Sequence, residues 1–300
     1  MAFLRCRRDP CGIICLILTY FSVFYADYVV IQYVLIPAYA GSLWCTLHGS
    51  VFNLILFLLL ACHSKAVFSD PGMVPLPDTA IDFSDLRSQS SRMNDRGCEG
   101  WTVCSHCETY RPPRAHHCRV CQRCIRRMDH HCPWINNCVG ELNQKYFIQF
   151  LFYTGMASLY SLMLVVSAWV WRIRNERESD EEETPSKHLI VAHYIILLVE
   201  SILFGVFVMV IFYDQLVSII TDETPIEQMR NRLMVKDRGS TSSSSSSQPP
   251  HQPPHTRKPK LALLREVFGR GSVFCWLLPL HSSPPTVGGI TYSSLPDYDV

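Results

Sequence analysis

A cluster of cysteines and histidines lies between Cys104 and Cys138, where the chain places seven of its 14 cysteines and five of its 12 histidines. Cysteines at this density indicate either a disulfide framework or metal sites. A disulfide framework does not use histidine, whereas zinc sites use both residue types. The cluster therefore predicts zinc binding. It also predicts that the segment faces a reducing compartment, the cytosol, because disulfides belong to oxidising ones.

The cysteine spacing in this cluster indicates two zinc ions. It is C-x2-C, a ten-residue gap, C-x2-C-x2-C, and then Cys132 and Cys138. Cysteines separated by two residues are typical of tetrahedral zinc sites, and a closed structural site takes four ligands. The cluster holds too many ligands for one ion. Two closed sites would use six cysteines and two histidines, which leaves one cysteine over.

A cysteine that no zinc ion holds is available for chemistry, and the sequence Asp129-His130-His131-Cys132 surrounds one with suitable groups. A free thiol has a pKa of about 8.5, so little of it is ionised at neutral pH. An imidazole can accept the proton and an aspartate can orient that imidazole, which gives a nucleophile, a base and an orienting group. The spacing leaves open which histidine is the base and which is a zinc ligand.

Four apolar stretches, at residues 11–36, 43–68, 146–171 and 189–220, flank the cluster. Each exceeds the roughly 20 residues that a helix needs to cross a bilayer, and backbone groups in lipid must be hydrogen-bonded internally, so helices are predicted. The first stretch follows three arginines and precedes Ala38-Tyr39-Ala40, a pattern that also occurs in cleaved signal peptides. Its apolar run is too long for a signal peptide and a second span follows closely, so we interpret it as a membrane anchor.

Lysine and arginine predict the orientation of these helices, because loops rich in basic residues stay in the cytosol. Three arginines precede the first stretch, ten basic residues lie in 69–145, and none lies in 37–42. The loop 172–188 has four basic residues among acidic ones, which opposes this orientation only mildly. Both termini and the segment between the second and third helices are therefore predicted to be cytosolic.

The predicted fold class is an all-α polytopic membrane protein, with four transmembrane helices and a cytosolic zinc-binding domain between helices two and three. Its divisions are a cytosolic N-terminus at 1–10, helices one and two in 11–68, a cytosolic segment at 69–145 with a cysteine-rich domain from about 98, helices three and four in 146–220, and a cytosolic tail at 221–300. Serine and proline at about 239–259 predict a disordered linker within the tail. A net charge of +1 argues against a nucleic-acid partner.

The segment from Cys104 to Cys138 resembles the cysteine-rich domain of the DHHC protein S-acyltransferases, or palmitoyltransferases. The tetrad at 129–132 continues as Pro-Trp-Ile-Asn-Asn-Cys-Val-Gly, and Asp70-Pro71-Gly72 after the second span resembles the family's DPG motif. The sequence Thr-Asp-Glu-Thr-Pro-Ile-Glu at 221–227 resembles its TTxE motif and is nearest that of Golgi-type members. Two positions depart from the family pattern: Pro225 replaces the second threonine, which removes any contact of that hydroxyl, and Leu263 replaces a tail asparagine.

The resemblance implies a role for each residue of the cluster. One Cys3His zinc site would use Cys104, Cys107, His117 and Cys124, and the other would use Cys118, Cys121, His131 and Cys138. Cys132 would carry the acyl group, with His130 as base and Asp129 as its orienting residue. His106 and His116 would have no ligand role. The implied activity is two-step transfer of a palmitoyl group from acyl-CoA to cysteines of proteins, with two structural zinc ions, in a Golgi or ER membrane.

Other interpretations and partners stay open at this stage. A membrane scaffold whose zinc domain only binds partners would not need a thiol at Cys132. Six arginines could offset the charge of the zinc sites, bind the phosphates of CoA or face lipid headgroups; they are Arg111, Arg114, Arg119, Arg123, Arg126 and Arg127. The apolar patch at 273–280 is predicted to lie at the membrane interface or to pack on the helices. The C-terminal Asp297-Tyr298-Asp299-Val300 could suit a partner that captures chain termini.

Overall fold

The computed structural model describes residues 9–76, 101–176, 185–240 and 258–280. The N-terminal arginines, the serine run of the predicted linker and the C-terminal four residues lie outside the described residues. The helices are α1 (Pro10–Val29), a π-helical turn (Val30–Leu35), α2 (Ile36–Tyr39), α3 (Leu43–Phe68), α4 (Gln144–Glu176), α5 (Pro185–Thr221), α6 (Pro225–Ser240), α7 (Lys260–Phe268) and α8 (Val273–Leu277).

Four helices in the described part of the chain are long and apolar enough to cross a membrane. They are Pro10–Tyr39, Leu43–Phe68, Gln144–Arg174 and His188–Thr221. The cysteine-rich segment lies between the second and the third of them, which confirms the predicted fold class of a multi-pass helical protein with an inserted zinc-binding domain.

The first spanning helix changes its hydrogen-bonding pattern near Pro37. Proline has no backbone N–H, so the carbonyl of Tyr33, four residues earlier, loses its helical partner. The hydroxyl of Tyr194 in α5 donates to this carbonyl oxygen at 2.7 Å, and the π-helical turn Val30–Leu35 occupies the same stretch. A backbone group freed inside the bundle is thus satisfied by a neighbouring helix, as an apolar environment requires.

The cysteine-rich segment, here called the zinc module (residues 101–143), folds into three antiparallel hairpins that the sequence analysis did not predict. Their strands are β1 (Thr102–Cys104) with β2 (Thr109–Arg111), β3 (His116–Cys118) with β4 (Arg123–Ile125), and β5 (His130–Cys132) with β6 (Asn137–Val139). Glu108, Gln122 and Asn136, which lie in the three turns, adopt positive φ angles of 48°, 53° and 45°. These tight turns bring residues on both sides of each hairpin together.

The DPG motif joins the end of α3 to the zinc module. The Oδ1 atom of Asp70 accepts a hydrogen bond from the backbone N–H of Gly72 at 2.8 Å, and Gly72 has a φ of +100°, which suits glycine. Its carbonyl oxygen accepts from the N–H of Arg126, and the N–H of Val74 donates to the carbonyl of Cys124. The motif therefore shapes a turn whose backbone pairs with β4.

A second contact between the zinc module and α3 comes from Asn137. Its fully buried Nδ2 donates to the carbonyl oxygens of Ala66 and Val67 at 3.1 Å each and to that of Ser69 at 2.9 Å. The last carbonyls of a helix lack partners within that helix. One side chain of the module therefore satisfies the end of the second spanning helix.

The TTxE motif joins the zinc module to the end of α5. Thr224 and Glu227 form reciprocal hydrogen bonds at the start of α6, the Oε2 atom of Glu227 accepting from the N–H of Thr224 at 2.8 Å. Such a capping box accommodates a proline at the first helical position, so Pro225 is compatible with it. Arg114 then donates to both carboxylate oxygens of Glu227 and to the Asp222 carboxylate.

The tail packs on the end of the helix bundle that carries the zinc module, through α7 and α8. Leu263, the second departure from the family pattern, is buried against Ile148 and Ile219, so an apolar contact holds the tail at this point. The 273–280 patch packs on α4, because Gln149 donates to the carbonyls of Trp276 and Leu278 and the Tyr153 hydroxyl donates to that of Leu277.

Candidate active site and metal centres

Two groups of four side chains in the zinc module bring their ligand atoms within 4.8 Å of one another. The first group is Cys104, Cys107, His117 and Cys124, and the second is Cys118, Cys121, His131 and Cys138. The structure thus assembles the same two sets that the family resemblance implies.

Each group is built from the turn of one hairpin and a cross-strand pair of the next. His117 lies opposite Cys124 in the β3–β4 register, and the Cys104–Cys107 turn lies against them. His131 lies opposite Cys138 in the β5–β6 register, and the preceding β3–β4 turn supplies the other two cysteines, Cys118 and Cys121. Directly opposite side chains in an antiparallel pair are about 5 Å apart. This repeated arrangement explains why the two ligand sets interleave in the sequence.

The distances within each group fit tetrahedral zinc. The Nδ1 atom of His117 lies 3.2 Å from the Sγ of Cys107, and that of His131 lies 3.4 Å from the Sγ of Cys121. The Sγ atoms of Cys121 and Cys138 are also 3.4 Å apart. A zinc–sulfur bond of about 2.3 Å places two sulfurs of a tetrahedron about 3.8 Å apart. Both groups can therefore hold a zinc ion with four protein ligands and no open position.

The second group has a partner that the sequence analysis missed. The Nε2 atom of His131 lies 3.2 Å from the Oδ2 of Asp9, which precedes α1. A carboxylate on the far nitrogen of a ligating histidine fixes its tautomer and its ring orientation. No local pattern marks Asp9, because it lies 122 positions from its partner in the sequence.

Strand β5 sets the directions in which the tetrad side chains point. Successive side chains of a strand point to opposite faces, so His131 points toward the second cysteine group while His130 and Cys132 share the other face. The geometry thus separates the two histidines, which the spacing alone did not. His106, by contrast, stacks on His117 with ring centroids 4.9 Å apart and lies outside both groups.

The Asp129 carboxylate of the tetrad is buried and accepts hydrogen bonds from two side chains. Asp129 is 3% exposed, and its Oδ2 lies 2.6 Å from Nδ1 of His130 and 2.7 Å from Nε2 of Gln215. Burial lowers the pKa of His130, but hydrogen bonds with Asp129 and Cys132 outweigh it and raise the pKa to about 9. The imidazole is therefore well suited to hold a proton. Gln215, on α5, was another residue that the sequence analysis missed.

Cys132 lines one wall of an apolar cavity that extends between the spanning helices. Trp134 and Phe147 lie beside it, and Ser22 and Glu200 line the cavity deeper in the bundle, where the Ser22 hydroxyl donates to the Glu200 carboxylate. Ser22 lies about 18 Å from the start of α1, given the helical rise per residue. The apolar lining and the depth of this cavity suit a long apolar chain.

Three of the six arginines considered above bind acidic side chains. Arg126 contacts Glu141 at 3.3 Å, and Arg127 contacts Asp222 at 3.3 Å, while Arg114 holds the TTxE carboxylates. Arg114 and Arg127 therefore link the module to the segment that follows α5, whereas the Arg126–Glu141 pair lies within the module.

Comparisons with known proteins agree with this geometry. The family model described as DHHC palmitoyltransferase matches residues 98–232. Palmitoyltransferase ZDHHC3 of Rattus norvegicus is 42% identical over 226 residues, which cover 74% of this chain and 72% of that protein. Palmitoyltransferase ZDHHC7 of Rattus norvegicus is 35% identical over 225 residues, 75% of this chain and 70% of that protein. Probable protein S-acyltransferase 14 of Arabidopsis thaliana is 29% identical over 268 residues, which cover 83% of this chain and 78% of that protein. The chain therefore belongs to the DHHC palmitoyltransferase family of protein S-acyltransferases, and the family resemblance of its motifs is confirmed.

Proposed function

We propose that Cys132 is the nucleophile that carries the acyl group, with His130 as its base and Asp129 as the group that orients His130. The single observation that carries this proposal is the position of Cys132. It is the cysteine of the module that neither ligand group includes, it shares a strand face with His130, and it lines the apolar cavity. A thiol beside both a base and a chain-binding space suits acyl transfer.

The proposed reaction has two steps. The Cys132 thiol gives its proton to Nε2 of His130, since Nδ1 faces Asp129, and its sulfur attacks the thioester carbon of acyl-CoA. The carbon–sulfur bond to CoA breaks, and the CoA thiolate takes the proton from His130. A cysteine thiol of a protein substrate then attacks the acyl-enzyme in the same way, and Cys132 regains its proton. Two zinc ions, held by the two four-residue groups, would fix the hairpins that position these side chains.

The setting of the reaction follows from the same features. The module and both chain ends are proposed to face the cytosol, as the basic residues of 69–145 indicate, so acyl-CoA and the substrate cysteines would come from that side. The apolar cavity suits a palmitoyl chain. We propose a Golgi or ER membrane, on the basis of the TDET-x-IE sequence shared with Golgi-type members.

Acylation of the enzyme itself tests this function. Purified protein would be incubated with labelled palmitoyl-CoA without a substrate protein, and hydroxylamine-sensitive label would be measured. We expect label on the wild type and none on Cys132→Ser, with two zinc ions bound to each. Cys45→Ser is the matched control, because Cys45 lies in the first turn of α3 and outside both the ligand groups and the cavity lining. An unlabelled wild type with intact zinc would instead favour the membrane scaffold.

A further inference from the structure

Gln215 of α5 lies against the tetrad although it belongs to no motif. We infer that Gln215 is a positioning residue for acyl transfer, which holds the Asp129 carboxylate so that His130 presents Nε2 to Cys132. This inference rests on the proposed roles of the tetrad residues. It adds a polar residue from a membrane-spanning helix to a site otherwise made by the zinc module.

The contact between the two side chains is short and shielded from water. The Nε2 atom of Gln215 donates to the Oδ2 atom of Asp129 at 2.7 Å, and both residues are 3% exposed. The Oε1 atom of Gln215 accepts in turn from Nε2 of Gln144 at 3.4 Å. Because its oxygen faces Gln144, the amide of Gln215 is turned with its nitrogen toward the carboxylate.

The carboxylate depends on this donor. Its Oδ2 atom accepts from both His130 and Gln215, whereas its buried Oδ1 atom has no hydrogen-bond partner in the described part of the chain. Two donors on one oxygen restrict rotation of the carboxylate more than one donor does. A buried carboxylate that loses a donor is also costly, since burial without a hydrogen bond is unfavourable. Removing the Gln215 donor would therefore allow the Asp129 carboxylate, which orients His130, to rotate.

The expected effect is on rate rather than on binding of acyl-CoA. Gln215 does not line the cavity that contains Cys132, so its loss leaves the acyl-chain contacts in place. Misplacing a catalytic group by a small distance can lower a rate by up to about 100-fold. A residue acting through Asp129 should thus lower the maximal rate of acylation without changing the concentration of acyl-CoA that half-saturates it.

The test uses the full-length protein and single-turnover labelling with palmitoyl-CoA over a range of concentrations. Gln215→Met keeps the side-chain length but removes the donor, and Gln215→Glu places a second carboxylate against Asp129. We expect the maximal rate to fall about 10-fold for Met and further for Glu, with half-saturation within about two-fold of wild type. Gln149→Met is the matched control, because Gln149 is equally buried at 3% but donates to tail carbonyls; its rate should stay near that of wild type.

The outcomes separate the two proposals. A Gln215→Met variant that labels at the wild-type rate would overturn the positioning role while leaving Cys132 as the nucleophile. A variant that loses zinc, or whose half-saturation rises together with its loss of rate, would assign Gln215 a structural role and also overturn the inference. Failure of the wild type and of Gln149→Met to label would instead contradict the proposed function.

Discussion

Replacing Arg114 by lysine should loosen α6 from the zinc module. The guanidinium of Arg114 donates from Nε and Nη2 to the two carboxylate oxygens of Glu227 at 2.8 and 3.0 Å. It also donates to the carboxylate and the carbonyl oxygen of Asp222, both at 2.8 Å. Lysine keeps the positive charge, but its compact ammonium cannot reproduce the planar fork that reaches both partners.

The size of the change in the free energy of opening α6 follows from how exposed Arg114 and Glu227 are. Hydrogen bonds to charged groups contribute roughly 1.5–3 kcal/mol each. The side chains of Arg114 and Glu227 are 28% and 13% exposed, which places the pair between weak surface ion pairs and strongly coupled buried ones. We therefore expect Arg114→Lys to lower the free energy of opening α6 by about 2 kcal/mol, a change of about 30-fold in the opening equilibrium.

Hydrogen exchange measured by mass spectrometry can detect this opening. Backbone amides at 224–230 should exchange about 30-fold faster in Arg114→Lys, because exchange through local opening follows the opening equilibrium. Zinc content should stay unchanged, since Arg114 is not a ligand. Arg119→Lys is the matched control, because Arg119 is an exposed arginine of the same module. Equal exchange in both variants and the wild type would refute the reasoning that this contact stabilises α6.

Three further predictions address contacts made by the zinc module. Gly140→Ala should lower stability by about 1–3 kcal/mol, because the added Cβ would lie 2.4 Å from the carbonyl oxygen of Pro71; a thermal midpoint equal to that of wild type would contradict this. Asn137→Asp should cost about 3 kcal/mol or more, since a carboxylate would replace the amide that donates to three carbonyls, and recovery of folded protein in normal yield would argue otherwise. Burial raises the pKa of Glu227, but hydrogen bonds from Arg114 outweigh it and hold the pKa below its usual 4.5. Its stabilisation is therefore present above pH 4.5 and lost as pH falls through the lowered pKa, so the thermal midpoints of wild type and Glu227→Gln should converge on acidification.

Features encoded over short stretches of sequence could be predicted. The spanning helices follow from uninterrupted apolar runs, whose length alone indicates a bilayer. The number of zinc sites follows from pairs such as Cys104 and Cys107, because ligands two residues apart must approach the same ion. The count of one unused cysteine needed no knowledge of tertiary structure, and the family resemblance identified it as Cys132.

Features that depend on distant segments could not be predicted. Asp9, Asn137 and Gln215 are single polar residues without periodicity, and each finds its partner only when helices and module pack together. The hairpins were not predicted because strands of three residues are too short to show an alternation of apolar and polar side chains. The separate directions of His130 and His131 depend on that alternation, so the sequence could not assign them without the family resemblance.

The contact between Asp9 and His131 also bears on how the protein is made. Asp9 leaves the ribosome first, and its partner follows 122 residues later, after the first two spanning helices have been synthesised. The two residues can meet only if the N-terminus has stayed on the side of the bilayer where the zinc module emerges. A chain whose first helix inserted backwards would hold Asp9 across the membrane from His131. The contact between Asp9 and His131 therefore forms only in a chain whose first helix has inserted in the correct orientation.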